Sequence, residues 1–223
     1  PAFAWEPEKG TYLGVLKRGD GVSNIRWFEG PAAYVFHPMN AYQIGDRLIC
    51  DVCEYEEAPL FPHADGSKPD PAKSNAVLKR WTIDLAASTN EYQVEQLHDH
   101  VCEFPRLDER YAGLNYRHGY FGCQGAEPSR SGGFTAIGHV DHEKGCVETF
   151  DLGLNFAASE PVFVPRGTSE GEGYLVTNVY DAGIDKSHLV ILDAENVAAG
   201  PLARAYLDHR VPFGFHGNWR NSD

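Results

Sequence analysis

Short runs in which apolar and polar residues alternate, each closed by Gly, Asp or Asn, recur along almost the whole chain. Alternation of period two marks a half-buried strand, and the closing residues are those that tolerate the tight backbone of a turn. Four hairpins are predicted on this pattern. The first pairs residues 11–16 with 24–28 around Gly19-Asp20-Gly21, and the second pairs 78–84 with 92–97 around Ser88-Thr89-Asn90. The third pairs 134–141 with 146–151 around His142-Glu143-Lys144-Gly145, and the fourth pairs 188–193 with 203–207 around a loop holding Asn196 and Gly200. Three of the leading strands end in aspartate, at Asp84, Asp141 and Asp193.

Further strands are predicted over 32–37, 47–55, 115–123, 161–164 and 174–180, so each period carries about four strands. That repeat points to β-propeller blades rather than a sandwich. Helical periodicity is weak, with one turn predicted over 195–199, and residues 58–74 and 125–132 read as loops. The fold class is therefore all-β, a propeller of which this chain supplies about four blades. A small closed propeller and the C-terminal part of a larger one both fit. The abrupt start at Pro1, with Trp5-Glu6-Pro7 leading straight into a strand, favours residues 1–223 as the C-terminal part of a single larger propeller domain. If the N-terminal part were missing, the open sheet edges would need another chain to cover them.

Composition narrows the function. A chain of 223 residues with 42% hydrophobic and 23% charged residues is ordinary for a globular protein. A formal charge of -13 disfavours nucleic acid and anionic membrane surfaces, both of which recruit clustered Lys and Arg. No apolar run approaches the roughly 20 residues of a bilayer span, and no basic-then-apolar leader opens the chain, so a cytoplasmic location is expected. Five cysteines, an odd number, fit free thiols in a reducing compartment. Cys50 and Cys53 form a C-x-x-C inside an alternating strand, where residues three apart face opposite ways, so a structural role is expected for them.

Two histidines stand out. His37 ends the apolar run Tyr34-Val35-Phe36-His37-Pro38, and His216 lies in Pro212-Phe213-Gly214-Phe215-His216-Gly217-Asn218-Trp219, where Phe213, Phe215 and Trp219 are placed to keep water away. Each alone reads as an ordinary histidine. In a propeller the inner strands converge on one axis, so residues this far apart in sequence can meet. Glu103 in Cys102-Glu103-Phe104-Pro105-Arg106 and Glu160 in Ser159-Glu160-Pro161-Val162 are carboxylates at apolar, proline-restrained strand ends. A buried carboxylate needs donors or a cation, and the ring N–H of a metal-bound imidazole is one such donor. An arginine bridge to Arg106 or Arg166 is the plainer alternative. His98 and His100 read as an exposed pair near a turn. His139 and His142 straddle a hairpin turn, His63 lies in the long loop, and His118, His188 and His209 are isolated. All are expected to be structural or solvated. Asp99, Asp108 and Glu109 read as solvated surface charges.

Taken together, these segments resemble the carotenoid cleavage oxygenase family, which includes bacterial lignostilbene dioxygenases. The matching stretches are Phe36-His37-Pro38-Met39-Asn40-Ala41, Arg80-Trp81-Thr82-Ile83-Asp84-Leu85, Cys102-Glu103-Phe104-Pro105-Arg106, Ser159-Glu160-Pro161-Val162-Phe163-Val164-Pro165, residues 171–175, Leu192-Asp193-Ala194 and residues 212–219. They follow family order over nearly the whole chain but cover somewhat under half of a family member. The resemblance implies a seven-bladed propeller with Fe(II) held by four histidines, three of them backed by glutamates. It implies that His37 and His216 are the third and fourth ligands, with Glu103 behind His37 and Glu160 behind His216. The other two ligands and the last glutamate belong to the N-terminal part, so this fragment alone is expected to be inactive.

The implied reaction uses dioxygen to split a conjugated carbon-carbon double bond of a hydrophobic, stilbene-type substrate into two aldehydes. A carotenoid or apocarotenoid substrate is the runner-up. A metal-free propeller scaffold that binds a protein partner is the alternative of another class, and it expects ring nitrogens bonded to backbone. A zinc hydrolase on the same ligands is less favoured.

Overall fold

The computed structural model describes residues 2–130 and 132–220, and Pro1 lies outside them. The chain forms two compact units, residues 1–99 and 100–223. Apart from single 3-10 turns, all regular structure is β.

In the first unit β1 (Thr11–Val15) and β2 (Arg26–Gly30) form an antiparallel hairpin, in register from Thr11 opposite Gly30 to Val15 opposite Arg26. β3 (Tyr34–Ile44), β4 (Arg47–Tyr55), β5 (Val77–Asp84) and the start of β6 (Gln93–Leu107) follow in neighbouring order as one ladder. Phe28, Val52, Trp81, Ile83 and Tyr92 form the buried core of this unit. Two polar pairs lie beside it: Arg80 Nε donates to Asp51 Oδ1 at 2.7 Å, and Trp81 Nε1 donates to Glu54 Oε2 at 2.6 Å.

The second unit holds two ladders. The end of β6 pairs with β7 (His118–Cys123), which pairs with β8 (Ala136–Asp141) and then β9 (Cys146–Asp151). In the other ladder, β10 (Phe156–Ala158) and β11 (Val162–Pro165) both pair with β12 (Gly173–Asp181). β13 (Lys186–Asp193) and β14 (Pro201–Tyr206) complete it. Among the described residues, two four-stranded ladders that share β6, one five-stranded ladder and one hairpin thus stand where spacing predicts about four blades. Tyr120, Ile137, Leu175, Val190 and Leu192 belong to one buried cluster that spans both ladders of this unit.

The strand-ending aspartates have a mechanical reason. Asp84 Oδ1 accepts from the Ala86 N–H at 2.9 Å, Asp141 Oδ1 from those of Glu143 and Lys144 at 3.1 Å, and Asp193 Oδ1 from that of Glu195 at 3.0 Å. Each carboxylate ties the chain two residues on, which starts the turn. Packing inside a ladder is equally specific. Gly138 lies opposite Phe121, and a Cβ at Gly138 would come within 2.1 Å of the Phe121 ring.

The leading strand of every ladder breaks at a proline. β3 loses register between Val35 and Pro38 and again before Asn40, β6 loses it between Glu103 and Arg106, and the gap between β10 and β11 holds Ser159, Glu160 and Pro161. Proline has no N–H to give the ladder, so pairing fails there and neighbouring side chains are re-aimed. At the second break Phe104 has φ 55°, in the left-handed region.

All five cysteines are free. Cys102 and Cys123 face each other across β6 and β7, both fully buried, and burial pushes the Cys123 thiol up to about 12. Burial likewise pushes Cys50 up to about 11, whereas Cys146 is exposed.

Candidate metal-centre residues

The prolines place the candidate residues. His37 sits in the β3 break immediately before Pro38 and is half-buried, its ring 6.2 Å from that of Phe36. Phe36 in turn packs edge-on against Tyr34 and Tyr55, at 4.7 and 5.5 Å between ring centres, so an aromatic wall stands beside the histidine in the first unit. Glu103 is buried in the β6 break, where its Oε2 accepts from the Phe104 N–H at 2.5 Å.

Glu160 is the most fully defined of the four. Only 6% exposed, it accepts from three groups at once. Its Oε1 lies 3.1 Å from His216 Nδ1, while its Oε2 accepts from the Gly217 N–H at 2.9 Å and from Arg106 Nη1 at 2.8 Å. Arg106 Nη1 also donates to the Gly217 carbonyl at 2.8 Å, and the guanidinium bonds Glu109. The two readings of Glu160 are therefore not exclusive: one carboxylate holds both the arginine and the imidazole. The other arginine weighed for this role, Arg166, lies 3.9 Å from Asp193.

A carboxylate accepts hydrogen bonds, so the His216 proton sits on Nδ1 and the lone pair on Nε2. A neutral imidazole anchored in this way has the orientation and basicity of a metal ligand, and it suits Fe(II) among the first-row metals. The ring is bounded edge-on by Phe104, at 6.3 Å between ring centres and 80° between planes. It opens on a cleft of about 280 Å³ lined by Glu160, Val162, Val176, Leu189, Phe215 and Trp219. Among the described residues no group of three or more His, Cys, Asp or Glu side chains gathers around one point.

Several expectations need correction. Phe213, Phe215 and Trp219 do not shield His216 within this chain: they are 57%, 72% and 49% exposed, because the stretch after β14 forms no strand that would bury them. Asp108 is not a solvated surface charge. It is 1% exposed, caps the 3-10 turn Glu109–Tyr111 and binds Arg110 Nη2 at 2.6 Å. His98 and His100 lie within β6 and are partly buried, not exposed at a turn. His118 is not isolated either: its Nδ1 lies 2.9 Å from Nε2 of His139.

The chain is thus a partial propeller whose broken strands carry a half-buried histidine and buried glutamates. Comparison with known proteins agrees. The model of the family described as retinal pigment epithelial membrane protein, which embraces the carotenoid cleavage oxygenases, matches residues 1–221, and the chain belongs to that family. The family is in general iron-dependent. Isoeugenol monooxygenase of Pseudomonas putida is 37% identical over 233 residues, covering 100% of this chain and 49% of that protein. Lignostilbene-alpha,beta-dioxygenase isozyme III of Sphingomonas paucimobilis is 37% identical over 238 residues, with the same coverage. The crystal structure of Pseudomonas brassicacearum lignostilbene dioxygenase superimposes with a TM-score of 0.94 at 31% identity, over 100% of this chain and 49% of that one. The chain thus spans about half the length of the relatives it matches.

Proposed function

We propose that the protein containing this chain is an Fe(II)-dependent dioxygenase that splits an alkene conjugated to an oxygenated phenyl ring. The observation that carries the reading is the imidazole of His216 fixed by the buried carboxylate of Glu160, in a chain of carotenoid-oxygenase ancestry. Isoeugenol and lignostilbene, named in the relatives, share such an alkene, which favours them over a carotenoid. In this reading His37 and His216 are two of the iron ligands, Glu103 orients His37 as Glu160 orients His216, and residues 1–223 form one propeller domain with a part outside this chain. That part supplies the remaining ligands and covers Phe213, Phe215 and Trp219. A cytoplasmic location belongs to the same reading. It finds support in the absence, among the described residues, of any helix long and apolar enough to cross a membrane.

Fe(II) held by His37, His216 and ligands from outside this chain would supply the activation of dioxygen, whose two atoms would be accounted for by the two carbonyl products, so that no further reductant would be needed. Within this chain the carboxylate of Glu160 stands behind the His216 imidazole, so that the ring rather than the acid would face the metal. The aromatic wall of Tyr34, Phe36 and Tyr55 in the first unit and, in the second, the cleft beside His216 each offer apolar surface suited to a ring-shaped substrate.

Incubation of the intact protein with isoeugenol, a 4-hydroxystilbene and an apocarotenal, with aldehydes followed by mass spectrometry, tests the assignment. Cleavage of the phenolic alkenes with one atom of labelled dioxygen in each product is expected. Cleavage of the apocarotenal alone would overturn the substrate class, and metal-free protein that binds all three without turnover would restore the scaffold reading.

A further inference from the structure

Away from the glutamate-anchored histidine, the second unit holds a chain of three titratable groups, two buried histidines ending on a half-buried glutamate. Register sets it up: on one face of the sheet His118, Asp141 and Cys146 form one cross-strand row, and Tyr120, His139 and Glu148 form the next. His118 Nδ1 lies 2.9 Å from His139 Nε2, and His139 Nδ1 lies 3.0 Å from Glu148 Oε1. His118 and His139 are 7% and 5% exposed. Glu148 Oε1 also accepts from the Val197 N–H at 2.9 Å.

The end group fixes every proton. Glu148 can only accept, so His139 donates from Nδ1 and its Nε2 carries the lone pair. His118 must then donate from Nδ1, which leaves its own Nε2 as a basic lone pair. That atom has no hydrogen-bond partner among the described residues, and it borders a pocket of about 120 Å³ lined by Arg117, His139, Asp141, Lys144, Cys146 and Glu195. A lone pair placed at such a pocket can take a proton.

What covers His118 is the tip of the β11–β12 hairpin. A Cβ on Gly171 would come within 2.7 Å of the His118 ring, so the hairpin backbone rests directly on it. The neighbouring Glu170 accepts from the backbone N–H groups of Arg117 and His118 at 2.5 and 2.9 Å. We propose that His118 is an acid-operated latch, which when uncharged seats residues 167–172 on the face of β7 to β9 and on taking a proton at Nε2 releases them. The charged groups facing it are Arg117 on its own strand, Asp141 and the titratable His139 from β8, and Glu148 from β9. Lys144 and Cys146 border the β8–β9 turn, Glu170 sits on the hairpin tip, and Glu195 follows β13. Asp141 is already held by Arg117 through two bonds, at 2.9 and 2.7 Å, and Glu148 by His139 and Val197. These partners leave little acceptor capacity for a buried imidazolium. In agreement, burial foremost and then His139 hold His118 below the ordinary imidazole value of 6.5.

The sign follows. An open hairpin exposes His118 to water, where it protonates normally, while the closed form resists, so acid shifts the balance toward opening. One unit below 6.5 the opening constant rises by up to about tenfold. Amide hydrogen exchange on the intact protein at pH 7.5 and pH 5.5, corrected for intrinsic rates, reads this directly. Protection in residues 167–172 should fall several-fold on acidification in the unmodified protein and stay level in His118→Gln, whose amide can still donate to His139. Unchanged protection in the unmodified protein, the same loss in the variant, or a loss spread equally over all strands would each overturn the latch. Should the variant fail to fold, the first and third of these outcomes still decide.

Discussion

Glu160 collects a guanidinium, an imidazole and a backbone N–H on two oxygens, and that crowding makes it the most informative residue to change. Glu160→Gln keeps the shape but loses the charge. In the intact protein it should weaken iron binding by about 10 to 100-fold, as loss of an outer partner does elsewhere, measured by metal titration. Glu160→Ala goes further: it takes away one of the two carboxylates on Arg106, which keeps Glu109 and the Gly217 carbonyl, and should cost about 1–3 kcal/mol in denaturant unfolding. The burial of Glu103 and Glu160 was legible because apolar, proline-flanked carboxylates are conspicuous. His118 and His139 were not. Their bond runs diagonally between rows, from the position opposite Asp141 to the one opposite Tyr120, and only a register known to the residue discloses it. Asp108 was misread because three consecutive charges, Asp108-Glu109-Arg110, look like solvent-facing chain. The 3-10 turn instead folds Arg110 back onto the aspartate.

At the level of strands, alternation and aspartate-closed turns sufficed to locate the hairpins, and residues 47–55 coincide with β4 end to end. The misses share one cause. β6 runs on to Leu107 through a break that contains Pro105, and the three residues of β10 are too few to display a period. Proline hides strand continuity from a reader of sequence while the flanking residues still pair. Glycine carries the opposite signal inside a strand. Gly138→Ala pushes a methyl into the Phe121 ring with both neighbours buried, and it should destabilise the protein by about 1–3 kcal/mol. Chemical denaturation should show a lower midpoint with an unchanged slope. A neutral result would mean that the ring can swing aside.

Taken whole, the chain carried enough repeat for its fold class to be read, whereas the count of blades was blurred by a lone hairpin and by a leading strand split in two. Its acid response should come in two stages. His118 and His188 are held below 6.5, chiefly by burial, so the stability they contribute is present above that pH and drains away as unfolded imidazoles take protons that the fold refuses. Asp141 is held far below 3.8, chiefly by hydrogen bonds from Arg117, so its contribution survives that first stage and is lost only as pH falls below 3.8 toward its lowered value. Thermal melts from pH 8 to pH 3 should therefore drop first under about 6.5 and again under about 3.8, and a flat course from 7 to 5 would contradict the first stage. The uneven placing of sulfur has a practical outcome. With Cys102 and Cys123 entombed as thiols and Cys50 held protonated, a maleimide offered to the folded chain meets Cys146 first. A fluorophore hooked there would sit on the rim of the His118 pocket and turn an otherwise silent rearrangement into a visible one.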